Sequence, residues 1–303
     1  MLIDPGGISL LSNQRNCRWL LTGTASVLLI VGLTAFALAA DASKWDGDNR
    51  SAVRLIAGAY VGEGGARIGR AGIEIKLGAG WKMYWRHPGD AGVPPSFDFA
   101  GSTNVKAVTV MWPAPQRFTD EDTHLIVYKD RVVLPLRVAP ENAAKPVTLQ
   151  LKLVYGICEK LCILAEAKSE LLLSVGTSAH ESAVAAAEAR VPRKVQIGEG
   201  ADILSIRAVR REMGRTGPRM VIDVAAPAVA NVDLFAEGPG SDWALPLPQP
   251  ILAEGDLRRF YLDLSGIPPS LGTSGATLKL TATADREAIE VSVSTDGASN
   301  KAQ

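Results

Sequence analysis

The chain has 303 residues, with 32 Lys plus Arg against 32 Asp plus Glu, 47% hydrophobic residues, 29 glycines and 18 prolines. Balanced charge leaves no electrostatic footprint for nucleic acid or for an anionic membrane surface. The composition fits a turn-rich globular β protein long enough for about two domains.

Arg15 and Arg18 precede an uncharged run from Leu20 to Ala40, and Ala37-Leu38-Ala39 offers a small-x-small cleavage site. Residues 1–40 therefore read as a secretory signal peptide. At about 20 residues the run is also long enough to act as an uncleaved anchor, a membrane tether through residues 19–40. Either way, the rest of the protein is expected to work outside the cytoplasm. Cleavage after residue 39 removes Asp4, Arg15 and Arg18 and leaves 30 basic and 31 acidic residues. It also removes Cys17, so that Cys158 and Cys162 are the cysteines of the exported protein. No second apolar run reaches 18 residues, and no transmembrane bundle is expected.

Strand candidates follow at intervals of roughly 8 to 15 residues. They are Ala52–Tyr60, Arg70–Leu77, Trp81–Arg86, Val105–Met111, His124–Tyr128 and Arg131–Val138. Trp81, Met83 and Trp85 alternate inward, as core residues of a strand do. Two connections have unusual chemistry. Arg86 to Pro95 packs three prolines and two glycines into ten residues, which predicts a rigid loop rather than regular strand. Trp112-Pro-Ala-Pro-Gln-Arg-Phe118, followed by Asp120-Glu121-Asp122, reads as a second loop. Phe118 could cover the cysteines from there or serve simply as packing.

Val147 to Tyr155 alternates, with Val147, Leu149, Leu151, Leu153 and Tyr155 on one face, and Ala165 to Val175 alternates again. Between them lies Gly156-Ile-Cys158-Glu-Lys-Leu-Cys162. A disulfide needs Cα atoms roughly 4.4 to 6.8 Å apart. Residues four apart in an extended strand stand about 13 Å apart. The pair can therefore bond only if the chain turns between them, and the flanking strands predict a hairpin with the cysteines at its tip. Closing so short a loop stabilises a fold little. The residues themselves leave three readings open, namely disulfide exchange, a structural bridge and a metal site.

Ala179 to Arg190 is alanine-rich and ends at Val191-Pro192, the pattern of a short helix acting as a spacer. A second β-rich segment follows, with strands expected at Ile203–Arg211, Arg219–Val224, Asn231–Ala236, Leu257–Leu264, Ala276–Thr283 and Ala288–Ser294. The expected fold is all-β: two immunoglobulin-like sandwiches at 50–178 and 195–295, joined by a helical linker at 179–194. A polar tail at 296–303 completes the chain.

The blocks WKMYWRHPGDAGVPPSF, MWPAPQRF, VVLPLRV and YGICEKLCILAEA occur in order over residues 50 to 175. In these the chain resembles the periplasmic N-terminal domain of the DsbD and ScsB thiol:disulfide interchange proteins, and the trailing β segment is similar to the second domain of ScsB-like versions. The resemblance implies an immunoglobulin-like redox module that takes electrons from a membrane-embedded DsbD/ScsB-type donor. It passes them to periplasmic thioredoxin-like or isomerase proteins, including those of cytochrome c maturation. It implies that Cys162 forms the mixed disulfides and that Cys158 resolves them. The two proline-rich loops offer Phe118, His87 and Asp90 as candidate cap or loop residues around the pair. Such a protein-disulfide reductase component uses no cofactor. The three-residue gap between the cysteines favours the ScsB-like branch. Ile163-Leu164 stands where relatives often carry Ile-Pro, a departure expected to loosen the loop. These 303 residues contain neither a multi-span electron conduit nor a thioredoxin-like C-x-x-C, so the electron donor is expected on another polypeptide.

Two rival readings stand beside this one. The cysteines with His87, His124 or His180 would make a soft-ligand set for copper, as a periplasmic copper chaperone needs. A secreted assembly module would carry exposed edge strands and an inert bridge. Hydrolase and phosphate-loop signatures (G-x-S-x-G, Walker-type, H-E-x-x-H) do not occur in the sequence.

Overall fold

The structure, a computed structural model, describes residues 40–297 except 64–65, 121–122, 174–177, 200–203, 216, 241, 252–256 and 269–274. The expected signal segment, Glu121, Asp122 and most of the polar tail lie outside the described residues. No described helix is long and apolar enough to cross a membrane.

The fold is all-β and immunoglobulin-like. The first sandwich comprises β1 (Asp46–Gly47), β2 (Ser51–Glu63), β3 (Ala66–Leu77), β4 (Lys82–Gly89), β5 (Ser96–Asp98), β6 (Val105–Val110), β7 (Gln116–Asp120), β8 (Thr123–Lys129), β9 (Arg131–Pro140), β10 (Val147–Cys158) and β11 (Cys162–Leu173). One sheet runs β1-β2-β3-β9-β6; the other runs β11-β10-β4-β8-β7, with β5 also paired to β10. The alternating strands turn one face of each sheet inward. Ile73, Ile75, Leu134 and Leu136 of one sheet meet Met83, Trp85, Leu149, Leu151 and Tyr155 of the other in a continuous core.

Helix α1 (Glu181–Glu188) buries Val184 and Ala187. Its two glutamates hold Arg70 of β3, with Arg70 Nη2 2.6 Å from Glu188 Oε2 and Nη1 paired with Glu181. The helix is thereby bracketed onto the first sandwich. The second sandwich follows with β12 (Arg193–Lys194), β13 (Ser205–Met213), β14 (Pro218–Ala225), β15 (Val232–Glu237), β16 (Gln249–Ile251), β17 (Leu257–Asp263), β18 (Thr277–Ala284) and β19 (Glu287–Ser294). Its four-stranded sheets, β12-β19-β18-β15 and β13-β14-β17-β16, close over Ile222, Leu234, Phe260, Leu262, Leu280 and Val291.

Two connections differ from their sequence-based reading. The Arg86–Pro95 segment begins as strand, since β4 continues through His87 and Pro88 to Gly89. Its ladder with β8 is interrupted there, passing from Tyr84↔Val127 directly to Gly89↔Leu125. Proline has no N–H to give, so the strand bulges where the ladder would need one. Phe118 lies on a strand rather than a loop: β7 pairs with β8, with Phe118 opposite Leu125.

Candidate functional site

Strands β10 and β11 form a hairpin of twelve paired positions, from Val147↔Leu173 at the base to Cys158↔Cys162 at the tip. The alternation of apolar residues fixes this register, because a slip of one residue would turn the core face outward. It brings the two cysteines directly opposite each other. They are disulfide-bonded, with Cα atoms 4.1 Å apart. The turn between them consists of Glu159, Lys160 and Leu161, all exposed.

The two sulfurs occupy different surroundings. Cys158 is only 8% exposed and packs in a small cluster with Tyr84, Leu125 and Val127, against which Phe118 is laid. Cys162 is exposed. Cys162 is thus the more accessible of the two residues and Cys158 the shielded one.

Tyr84 of β4 supplies the direct polar contact to this pair. Its hydroxyl donates to Cys162 Sγ at 3.1 Å. Burial pushes the Tyr84 phenol above its ordinary pKa, so it stays a protonated donor at neutral pH. Two glycines make room for the ring. A Cβ at Gly92, whose φ is +124°, would lie 2.4 Å from Tyr84 Cε1, and one at Gly156 would lie 2.8 Å from Cδ2. The Gly92-Val93 segment thus passes as a strap over the ring and is tied down where Gly156 N–H donates to Val93 O at 3.3 Å. The strap explains why β10, which alternates up to Tyr155, is buried on both faces from Tyr155 to Cys158.

Phe118 lies between two ammonium groups. Lys82 Nζ stands 4.3 Å and Lys129 Nζ 4.9 Å from its ring centroid. Lys82 is itself buried and donates to Gly80 O at 2.8 Å. Positive charge around a cysteine favours its thiolate.

Of the other sequence candidates, Asp90 fastens the start of the strap to β8. Its Oδ2 accepts from His124 N–H at 2.8 Å, and its own N–H donates to His124 O at 2.9 Å. His87 instead lies toward the second sandwich, within electrostatic reach of Glu237, and burial lowers its pKa. His124 Nδ1 bonds Thr119 Oγ1 at 3.0 Å, and His180 precedes α1 as its N-cap residue. Among the described residues, no group of three or more His, Cys, Asp or Glu side chains is placed to hold a metal ion.

Sequence reasoning did not single out Tyr84, nor the two arginines that fasten the neighbouring strands. Arg86 Nη2 reaches Glu237 and Glu290, each at 2.6 Å. Arg117 reaches Asp233 at 2.8 Å and the carbonyls of Leu234 and Pro248. Trp85 meets Phe235 at 6.0 Å between ring centroids. The second sandwich therefore grips β4 and β7, the strands that carry Tyr84 and Phe118. The signal for Tyr84 was present in the sequence: within the alternating Trp81, Met83, Trp85, it is the large residue on the opposite face.

Three comparisons bear on this arrangement. Residues 65–174 match the family described as "Thiol:disulfide interchange protein DsbD, N-terminal". The fold matches the crystal structure of the N-terminal periplasmic domain of ScsB from Proteus mirabilis with a TM-score of 0.66 and 21% identity, covering 84% of this chain and 98% of that one. A search of the curated proteins finds no match. Residues 65–174 thus match the DsbD N-terminal family model, within a chain that has the fold of the ScsB N-terminal domain.

Proposed function

We propose that the protein is a periplasmic carrier of reducing equivalents, with Cys162 as the exchanging sulfur and Cys158 as the resolving one. The observation that carries this assignment is the asymmetry of the pair, one cysteine exposed and bonded by Tyr84, the other buried. In the oxidised protein, a thiolate of a membrane-embedded DsbD/ScsB-type donor on another chain attacks Cys162 Sγ and releases Cys158 as a thiolate. The donor's second thiolate then displaces Cys162. Two electrons have entered, and the donor has become a disulfide.

In the outward half-reaction the Cys162 thiolate attacks a disulfide of a thioredoxin-like or isomerase protein and expels one of its sulfurs. Cys158 then attacks Cys162 Sγ, the second sulfur of the acceptor leaves, and the S–S bond is restored. Two electrons pass to the acceptor, whose thiolates take protons from solvent. Export through residues 1–40, as a cleaved signal or a tether, supplies the compartment in which such disulfides persist.

The test is the reduction potential of the pair, read by equilibration in graded thiol buffers followed by alkylation and mass measurement. A carrier lies between about −180 and −270 mV, whereas a value below about −300 mV marks a structural bridge and ends the proposal. Trapping assigns the roles: Cys158→Ser accumulates mixed disulfides with the acceptor, and Cys162→Ser does not.

A further inference from the structure

The edge of the sheet beside Cys162 carries an inference that rests on the exchange reading above and adds to it how the substrate is held. Strand β11 is the end strand of its sheet and pairs only with β10 among the described residues. The direction of its backbone groups follows from those of β10. The N–H groups of Gly156, Gln150 and Thr148 donate to Val93 O, Ser102 Oγ and Thr103 O, all away from β11. The even-numbered residues of β10 therefore do not bond β11, and the ladder runs through odd-numbered pairs such as Ile157↔Ile163 and Tyr155↔Ala165.

It follows that Cys162, Leu164 and Glu166 turn their N–H and C=O outward, off the edge of the sheet. Lys168 confirms the parity, because its N–H donates to Asp46 Oδ2 at 2.7 Å. Asp46 covers the edge there, and the stretch from Cys162 to Glu166 stays open. Edge strands are normally blunted by proline, lysine, inward charge or a bulge. Cys162-Ile-Leu-Ala165 has none of these, and Leu161 and Leu164 are 72% and 58% exposed.

We propose that the Cys162–Glu166 edge is the docking strand for the disulfide-bearing substrate, which binds as an extended segment paired antiparallel along it. Exchange requires a substrate sulfur to reach Cys162 Sγ, so the backbone flanking that sulfur must lie against this edge. In the antiparallel register, the residue opposite Leu164 exchanges both hydrogen bonds with it. The residue two positions further toward the substrate's C-terminus then falls beside Cys162, and that is where its cysteine belongs. The substrate class is an extended, cysteine-bearing segment with apolar or β-branched neighbours that can lie beside Leu161 and Leu164.

The probe is the blocked peptide Ac-Thr-Val-Thr-Cys-Thr-amide as its symmetric disulfide, compared with bis(2-hydroxyethyl) disulfide, which has no backbone to pair. Both are reacted with the reduced protein. A second form of the peptide carries an N-methyl group on the valine, two residues before the cysteine. One lost hydrogen bond of about 1 kcal/mol slows a reaction about fivefold. N-methylation is therefore expected to slow the peptide about fivefold.

Leu164→Pro removes the outward N–H from the protein side at an edge position where proline is tolerated. It is expected to slow the peptide by a similar factor and to leave the small disulfide unchanged, while Leu164→Ala keeps the peptide's advantage. Equal rates for the methylated and unmethylated peptides would overturn the docking proposal while leaving exchange intact. Failure of both disulfides to oxidise the reduced pair would end both readings.

Discussion

Removing one oxygen atom from Tyr84 tests the chemistry assigned to the tip. In Tyr84→Phe the ring stays between Gly92 and Gly156, but the hydroxyl that donates to Cys162 Sγ at 3.1 Å is gone. A hydrogen bond to a charged acceptor is worth about 1.5–3 kcal/mol, and one to a neutral acceptor about 1 kcal/mol. The hydroxyl thus favours the Cys162 thiolate over the thiol by roughly 1.4 kcal/mol, which is about one pKa unit. We expect Tyr84→Phe to raise the Cys162 pKa by about that much. Below that pKa the thiolate fraction falls about tenfold, while the more basic sulfur becomes about threefold more nucleophilic, so exchange slows about three- to fourfold. The assay is the rate of iodoacetamide alkylation against pH in the Cys158→Ser background, with and without Tyr84→Phe. Coincident pH profiles would refute the assignment of Tyr84 as the donor that stabilises the thiolate.

Three further outcomes are expected. Phe118→Ala uncovers Cys158, so in the reduced protein its alkylation should accelerate several-fold while that of Cys162 changes little; equal acceleration of both would contradict the shielding role. Arg86→Ala leaves Glu237 and Glu290 facing each other without their cation. Breaking a buried pair in this way costs roughly 3–5 kcal/mol, and since Arg86 retains about a fifth of its side-chain exposure, about 2–3 kcal/mol is expected in urea unfolding. His87, buried beside the Leu245 backbone with Arg86, Glu237 and Asp90 around it, has its pKa lowered from the ordinary 6.5. Between that folded value and 6.5 the unfolded chain binds more protons than the folded one. Stability should therefore fall as pH drops below about 6.5, and His87→Gln should flatten the slope between pH 7 and pH 5.

The hairpin was legible in the sequence because its signal is local: two alternating runs and a short gap admit one register, and that register alone places Cys158 opposite Cys162. The second sandwich was legible for the same reason, in Phe260/Leu262/Leu264 and Ile289/Val291/Val293. What surrounds the sulfurs was not. β5 and β7 are short and follow proline-rich segments, so periodicity has too few residues to work on. Tyr84 reaches Cys162 across 78 positions and Arg117 reaches Asp233 across 116, and no spacing rule connects such partners. The helix was expected from its alanines, but its docking through Arg70 required knowing which face of β3 was free.

The disulfide closes the last position of a ladder that eleven other pairs already hold together. A cross-link closing so short a loop removes less freedom from the unfolded chain than a long-range one, so it lends the fold less stability. Linkage makes the relation reciprocal: a fold that gains little from the bond exerts little pull on it in return. Redox poise and conformational stability are thus more weakly coupled than they would be for a long-range bridge. On the exchange function proposed above, the affinity of the pair for electrons would be set by the few groups that touch it, chiefly the Tyr84 hydroxyl and the packing around Cys158, and the pair would be reduced and reoxidised with the fold intact.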